Sequence, residues 1–120
     1  MTCVFCTPPI PVLENDLAIA FFDKYPVNEG HLLIIPKRHV PTYFDCTLEE
    51  RMAMDALLLL GKQLLSEKFH PTGFNGGFNA GKDAGQTIFH CHIHLIPRYE
   101  GDMENPTGGV RGVIPHKRIY

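Results

Sequence analysis

The chain lacks any apolar run near the ~20 residues needed to cross a bilayer; stretches such as residues 56–60 are far shorter. It also lacks a long basic block, since 11 Lys and Arg stand against 13 Asp and Glu. Proteins that bind long nucleic acids usually carry a basic stripe. We therefore expect neither a membrane nor a nucleic-acid polymer as a partner. A small anionic ligand held by a few polar groups remains compatible with this composition.

The first residues lack the charged and apolar regions of a signal peptide, and we expect a cytoplasmic protein. With 120 residues, 44% of them hydrophobic, the chain is long enough for one modest core. We predict a single domain over residues 1–120. Within it, residues 1–11 form an irregular arm rich in proline, and residues 100–120 form a loop-rich tail. Residues 100–111 of this tail could close over a site, of the same chain or of a partner copy.

Short apolar stretches bounded by turn residues predict strands over 12–13, 17–22 and 32–35. Alternation of apolar and polar residues predicts a strand over 73–80. A loop over 81–86 then leads into a strand expected from residue 87 to about residue 99. The elements are connected in the order strand, strand, strand, helix, strand, strand.

A helix is predicted over 47–69, because Thr47 and Glu50 have the spacing of a capping box. Apolar residues recur every four positions at 48, 52, 56, 60 and 64, and Leu57 and Leu58 widen this stripe. So wide an apolar face suggests a helix that covers the sheet and also meets another surface, such as a second copy of the chain. Pure core packing is an equally good interpretation.

Three histidines alternate with apolar residues in the sequence His90-Cys91-His92-Ile93-His94. In an extended strand, alternate side chains share a face, so the imidazoles would lie on one side and Cys91 and Ile93 on the other. Neutral imidazole is both a nucleophile and a metal ligand, so both chemistries are open. One ion held by all three rings is disfavoured, because His90 and His94 would be ~13 Å apart along a straight strand. The alternative without function is a half-buried histidine row that is satisfied by hydrogen bonds.

The loop before the histidines is rich in groups that suit phosphate oxygens. It offers side-chain amides at Asn79 and Gln86, a hydroxyl at Thr87 and a backbone that can approach closely at Gly85. It is not a P-loop, because it lacks the Gly-Lys-Ser/Thr ending. Glycines alone are more often explained by hairpin turns.

The sequence Gly85-Gln86-Thr87, followed by His90-x-His92-x-His94-Leu95-Ile96-Pro97, resembles the signature of the histidine triad (HIT) superfamily. Residues 30–39 resemble the second strand of that family, and residues 21–23 the turn before it. The resemblance covers residues 3–115 and is closest to dinucleoside-polyphosphate hydrolase-like members. It implies an α+β fold, in which a meandering antiparallel sheet carries one long helix across one face and possibly one short helix. It also implies a homodimer.

The resemblance further implies a nucleotide substrate and a function for several residues. The enzyme would hydrolyse a nucleoside phosphoanhydride, or a related nucleotide conjugate such as a phosphoramidate, through a nucleotidyl-histidine intermediate on His92, the nucleophile. The catalytic residues implied beside it are His94, Gln86 and His31. The nucleotide-binding residues implied are Asp23, Asn79, Gly85, Gln86, Thr87, His94, Phe5 and Leu33; Phe5 and Leu33 would line a slot for the base. Three alternatives remain open: transfer to phosphate or another acceptor, a non-catalytic nucleotide-binding protein, and a metal-dependent hydrolase.

Cys3 and Cys6 have the CxxC spacing of metal ligands, and His39 and His90 could complete a set of four. The combination resembles the zinc-binding branch of the HIT superfamily and implies a structural zinc ion, with no organic cofactor. The rival interpretation is a free thiol pair or a redox motif. Pro8 and Pro9 disfavour a thioredoxin-like site, because they prevent a helix from starting directly after Cys6.

Overall fold

One long helix packs across one face of a five-stranded antiparallel sheet in the computed structural model, which describes residues 3–120. The strands are β1 (Leu13–Glu14), β2 (Ala18–Phe22), β3 (Leu32–Pro36), β4 (Gly73–Phe78) and β5 (Ile93–Arg98), and the helix is α1 (Leu48–Phe69). They are ordered β1-β2-β3-β5-β4 in the sheet. The predicted α+β class and meandering sheet are confirmed. Short 3₁₀ turns occur at Tyr43–Asp45, Lys82–Ala84, Gly109–Val113 and Pro115–Lys117.

Helix α1 begins at the predicted capping box. The Thr47 hydroxyl accepts a hydrogen bond from the Glu50 N–H (3.1 Å), and the Glu50 carboxylate accepts one from the Thr47 N–H (2.8 Å). The helix ends at His70, which adopts a left-handed conformation with φ 55°, and Pro71 follows. Between residues 3 and 120, no helix is both long and apolar enough to span a membrane.

The buried face of α1 differs from the predicted stripe. Glu50, Met54, Leu57, Gly61 and Leu65 face the sheet, and a Cβ on Gly61 would lie 2.8 Å from a Leu32 methyl group, so the helix lies close to β3. The interpretation of the stripe as pure core is wrong, because its members Leu48, Met52 and Leu60 are 47–63% exposed. An α-helix has 3.6 residues per turn, so residues spaced by four do not stay on one face. The stripe therefore turns away from the sheet, and one side of the leucine-rich segment is exposed.

The two faces of the sheet carry separate apolar layers. Leu32, Ile34 and Leu95 lie on the α1 side. The opposite layer consists of strand residues together with Phe5, which reaches it from the N-terminal arm: Phe5, Ile19, Phe21, Leu33 and Ile35. The arm thus covers part of the sheet face that α1 does not. The first two residues of the predicted arm lie outside the described residues.

The strand predicted from residue 87 to about 99 is shorter than expected, because β5 begins only at Ile93. Ile93 pairs with Ile34 of β3 and with Phe78, the last residue of β4, and the residues before Ile93 pair with neither strand. Proline at the end of β3 has no N–H to extend the pairing. Cys91 instead donates its N–H to the Val40 carbonyl (2.7 Å). Cys91 is nevertheless buried on the α1 side, as the alternation predicted.

Candidate active site and metal site

The ring of His92 is held by a backbone carbonyl. Its Nδ1 lies 2.9 Å from the carbonyl oxygen of His90. A carbonyl oxygen can only accept, so Nδ1 carries the proton and Nε2 keeps a free lone pair. The ring is half-buried beside Phe5 (5.1 Å between ring centroids) and beside His94 (5.2 Å). This is the form of imidazole that acts as a nucleophile.

A chain of hydrogen bonds fixes the proton of the neighbouring His94. The Val27 N–H donates to His31 Nδ1 (3.0 Å), so the proton of a neutral His31 ring lies on Nε2. His31 Nε2 is 2.9 Å from His94 Nδ1 and donates to it. His94 therefore carries its own proton on Nε2, the nitrogen directed away from His31. We call Val27 N–H, His31 and His94 the histidine relay.

Both histidines of the relay are neutral near pH 7. Burial lowers the pKa of His94 to about 4, helped by the nearby His92 and His31, although Asp23 opposes the shift. Burial also lowers the pKa of His31, again against the Asp23 carboxylate, 3.6 Å away. A neutral relay offers a hydrogen bond without a positive charge.

One cluster of potential metal ligands includes the relay: the ligand atoms of Asp23, His31 and His94 lie within 4.8 Å of one another. The hydrogen bond from Val27 argues against an ion there. If a metal occupied His31 Nε2, the ring proton would have to move to Nδ1, where it would meet the Val27 N–H head-on. The cluster is therefore better suited to hydrogen bonding than to metal binding.

A second cluster unites the four predicted metal ligands. The ligand atoms of Cys3, Cys6, His39 and His90 all lie within 4.8 Å of one another. His39 Nδ1 is 3.3 Å from Cys6 Sγ, and His90 Nδ1 is 3.5 and 3.6 Å from the two sulfurs. Tetrahedral zinc, with Zn–S of ~2.3 Å and Zn–N of ~2.0–2.1 Å, would separate sulfur from nitrogen by about 3.6 Å.

The protonation of His90 suits the same ion. Its ring is completely buried, and Nε2 lies 2.8 Å from the Pro36 carbonyl, to which it donates. Nδ1, the nitrogen that faces the sulfurs, is therefore unprotonated and can ligate. Burial lowers the pKa of His90, which favours the neutral ring that a metal requires. The residues present fit a structural zinc ion with four protein ligands.

The loop before the histidines is organised by Gln86. Its Oε1 accepts from the Gly81 N–H (2.8 Å), and its Nε2 donates to the carbonyls of Pro41 (2.6 Å) and Ile88 (3.1 Å). The side chain is 3% exposed and its amide hydrogens are both used, so it lies inside the loop and not at its surface. Gly81 (φ 98°) and Gly85 (φ 91°) provide the left-handed turns around it.

The other predicted phosphate contacts lie closer to the surface. Thr87 is exposed, and neither its hydroxyl nor its N–H has a partner within residues 3–120. The Gly85 N–H is already bonded to the Lys82 carbonyl (3.0 Å). Asn79 lies with His31 and His94 in a cavity of about 490 Å³, which we call the distal cavity.

Of the residues expected to hold a nucleoside, Phe5 lies beside His92 and outside the distal cavity, whereas Asp23 and Leu33 lie close to His94. Phe5 and Leu33 belong to the apolar layer that faces away from α1. Phe5 also lines a cavity of about 570 Å³ under the proline-rich arm. Leu33 is 4% exposed, and it pairs with His94 of β5. Asp23 follows β2, is half-buried, and accepts a hydrogen bond from the Tyr25 N–H (2.9 Å).

A profile of the HIT domain matches residues 7–101. The chain belongs to the HIT family. The resemblance drawn from the histidine motif and the second strand is thereby confirmed.

Relatives and solved structures agree with this assignment. The HIT protein is 38% identical to Adenylylsulfatase HINT3 of Arabidopsis thaliana over 83% of this chain and 54% of that protein. It is 37% identical to Bis(5'-nucleosyl)-tetraphosphatase [asymmetrical] of Schizosaccharomyces pombe over 75% of this chain and 50% of that protein. A Zn-bound histidine triad protein from Mycobacterium smegmatis superimposes with a TM-score of 0.78 at 34% identity, covering 87% of this chain and 80% of that one.

Sequence reasoning missed two parts of the site in this HIT protein. The Val27 N–H sets the tautomer of His31, but any residue other than proline supplies an N–H, so the sequence carries no signal for it. The tail was expected only as a loop that could close over a site; it was missed that Gly109, Val110 and Val113 are the tail residues that line the distal cavity. Here the Gly108-Gly109 pair was a usable signal, because it marks a sharp turn; Gly108 has φ 91°.

Proposed function

We propose that this protein is a nucleotide hydrolase that forms a covalent nucleotidyl intermediate on His92. The observation that carries the proposal is the hydrogen bond from His92 Nδ1 to the His90 carbonyl, which leaves Nε2 as a free nucleophile. The hydrolases among the relatives, a tetraphosphatase and an adenylylsulfatase by name, support nucleotides as the substrate class. The bond cleaved would be a phosphoanhydride, a phosphoramidate or a comparable link at the α-phosphorus.

The reaction would proceed in two displacements. His92 Nε2 attacks the α-phosphorus, a nitrogen–phosphorus bond forms, and the leaving group departs with the electron pair of its bond to phosphorus. Water then attacks the same phosphorus, the nitrogen–phosphorus bond breaks, and the mononucleotide leaves. Water loses a proton to solvent in the second step, and the neutral ring of His92 is restored.

His94 would stabilise the negative charge that develops in both steps. The relay presents its Nε2–H as a fixed donor, and a donor that is already oriented costs no reorganisation during the reaction. His31 acts as a positioning residue, since its ring lies behind His94. We propose Asn79 and Thr87 as further phosphate donors. Gln86 and Gly85 would contribute by shaping the loop that presents Thr87.

The nucleoside would lie on the arm side of His92. Phe5 provides an apolar wall for the base with its ring beside His92, and Leu33 supports that wall from β3. Asp23 would accept a hydrogen bond from a ribose hydroxyl. The α-phosphate would then lie between His92 and His94.

We also propose a structural zinc ion held by Cys3, Cys6, His39 and His90. It would attach the arm to the segment that carries the nucleophile, and so keep Phe5 beside His92. Four protein ligands leave no open coordination position, so zinc would supply stability and take no part in either displacement.

A homodimer is the oligomeric state we propose. The exposed side of α1 carries Leu48, Met52, Leu59 and Leu60, each 47–65% exposed. Exposed apolar side chains that are contiguous in this way often mark a protein interface. Strand β4, at the edge of the sheet, is free to extend it.

The decisive experiment is a single-turnover reaction of adenine nucleotide conjugates labelled at the α-phosphate. We expect an acid-labile, alkali-stable phosphorus adduct in the wild type and none in His92→Ala. His116→Ala is a matched control, because that residue is an exposed histidine in the tail. Turnover by His92→Ala at the wild-type rate would refute the proposal, and so would a complete absence of turnover in the wild type. With inorganic phosphate present, a nucleoside diphosphate product would identify phosphate as the acceptor and refute hydrolysis.

A further inference from the structure

The distal cavity has features that the proposed chemistry does not explain. It adjoins His94 and Asn79 on the side opposite Phe5, so it lies where the leaving group would depart. Its outer wall comes from the tail, beyond the segment matched by the HIT profile, which ends at residue 101. This wall therefore lies outside the segment that the HIT profile describes.

Gly77 forms the floor of the distal cavity. It is the register partner of His94, so a side chain at position 77 would lie on the histidine face. A Cβ built there meets nothing within 4 Å, and the residue is not among the glycines with positive φ. Neither backbone conformation nor packing requires glycine here. Its effect is to keep space open beside His94.

Apart from His31, His94, Asn75 and Asn79, the lining of the distal cavity is apolar, and much of it is exposed. Val27, Val110 and Val113 are 65–76% exposed, and Ile96 contributes from β5. Within the described part of the chain, no Lys or Arg side chain lines the cavity. Arg98, which lies nearby, is already paired bidentately with Asp102 at 2.8 Å and bonded to Asn75 at 2.7 Å.

The tail is held in place over the cavity. Arg118 donates to the carbonyls of Asn105 and Thr107 (2.6 Å each), and Arg111 donates to that of Lys117 (3.0 Å). A Cβ on Gly109 would lie 3.2 Å from the Asn75 amide, so the tail closely approaches β4. The valines are therefore presented by a closed loop.

We propose that the distal cavity binds the leaving group of the substrate, and that this group is an uncharged apolar body joined to the nucleoside through a single phosphate. A leaving group with further phosphates would place its charges in a largely apolar cavity that has no Lys or Arg side chain to balance them. The inference rests on the proposed function. The phosphorus–oxygen bond to the apolar group breaks as the bond from His92 Nε2 forms, and the group leaves with the electron pair and takes a proton from solvent.

The test compares two adenylyl substrates that differ in the size of the leaving group: the 1-naphthyl ester of AMP and adenosine 5′-phosphofluoridate. Gly77→Val should lower kcat/KM for the naphthyl ester at least about tenfold, because it fills the floor of the cavity. The small fluoride should be affected less than about threefold. Gly76→Val is the matched control: the backbone of Gly76 also lines the cavity, but a side chain at position 76 would lie on the other face of the sheet.

Each outcome decides between the two proposals. Equal losses for both substrates, or an equal loss in Gly76→Val, would overturn the assignment of the cavity. Wild-type preference for diadenosine tetraphosphate over the naphthyl ester would overturn the apolar class. If the wild type turned over none of the three compounds, the proposed function itself would fail.

Discussion

Replacing His31 tests the histidine relay without touching the nucleophile. In His31→Leu the buried ring, 2% exposed, gives way to an apolar side chain of similar size. His94 Nδ1 then loses its donor, and the His94 proton is free to move from Nε2 to Nδ1. One hydrogen bond of about 1–2 kcal/mol is lost from the orientation of the catalytic donor. Since 1.36 kcal/mol corresponds to a factor of ten, kcat should fall roughly 5- to 30-fold.

The assay combines kinetics with the tautomer itself. ¹⁵N NMR of the wild type should show His94 protonated on Nε2 and bare on Nδ1, and His31→Leu should show a mixture. His31→Gln is the matched variant, because its amide N–H can still donate to His94 Nδ1 and should restore part of kcat. Melting temperatures of both variants control for unfolding. An unchanged kcat in His31→Leu, or a wild-type His94 protonated on Nδ1, would refute the relay.

Three further outcomes are expected. Folding lowers the pKa of His94 to about 4. Between about pH 6.5 and 4 the unfolded chain therefore binds a proton at His94 that the folded chain does not. The free energy of unfolding should consequently fall as the pH falls through that range. Because His94 is only half-buried, the expected loss of unfolding free energy is about 2–3 kcal/mol. It is measured by urea unfolding of the wild type and His94→Asn across this pH range. Parallel curves of unfolding free energy against pH for the two proteins would contradict the prediction. Elemental analysis should find one zinc per chain, and less in Cys6→Ser. Removal of the metal by a chelator should lower the melting temperature and the activity together. If chelation abolished activity but left the melting temperature unchanged, the metal would be catalytic. Met52→Glu should shift the protein from dimer to monomer in sedimentation velocity, with exposed Glu67→Ala as the control, and a wild type that is already monomeric would reject the interface.

The sequence predicted those features that depend on local chemistry. The capping box of Thr47 and Glu50 needs only neighbouring residues, and it begins α1 as expected. The side chains of residues 90–94 alternate between the two faces even before β5 begins at Ile93, because Cys91 is buried in the core. The metal cluster joins ligands from three separate segments, and its members were indicated by the CxxC spacing and by the family resemblance.

Features that depend on distant partners were harder to predict. Which side of α1 would be buried depends on β3 and β5: a Cβ on Gly61 would lie 2.8 Å from a Leu32 methyl group and 3.4 Å from a Leu95 methyl group. The start of β5 depends on where its pairing with β3 stops, at Ile34, two residues before β3 ends at Pro36. Gln86 has the chemistry of a phosphate ligand, but the nearby Pro41 carbonyl engages its amide, and nothing in the local sequence indicates that contact.

The two histidines of the proposed active site differ in how easily a mutation can change their tautomers. The tautomer of His92 is set by a main-chain oxygen, and every amino acid at position 90 would supply that atom. The tautomer of His94 is set by a side chain, which a single nucleotide change can remove. Inherited variation can therefore change the strength of the proposed His94 donor gradually, while the backbone determines which nitrogen of His92 stays unprotonated.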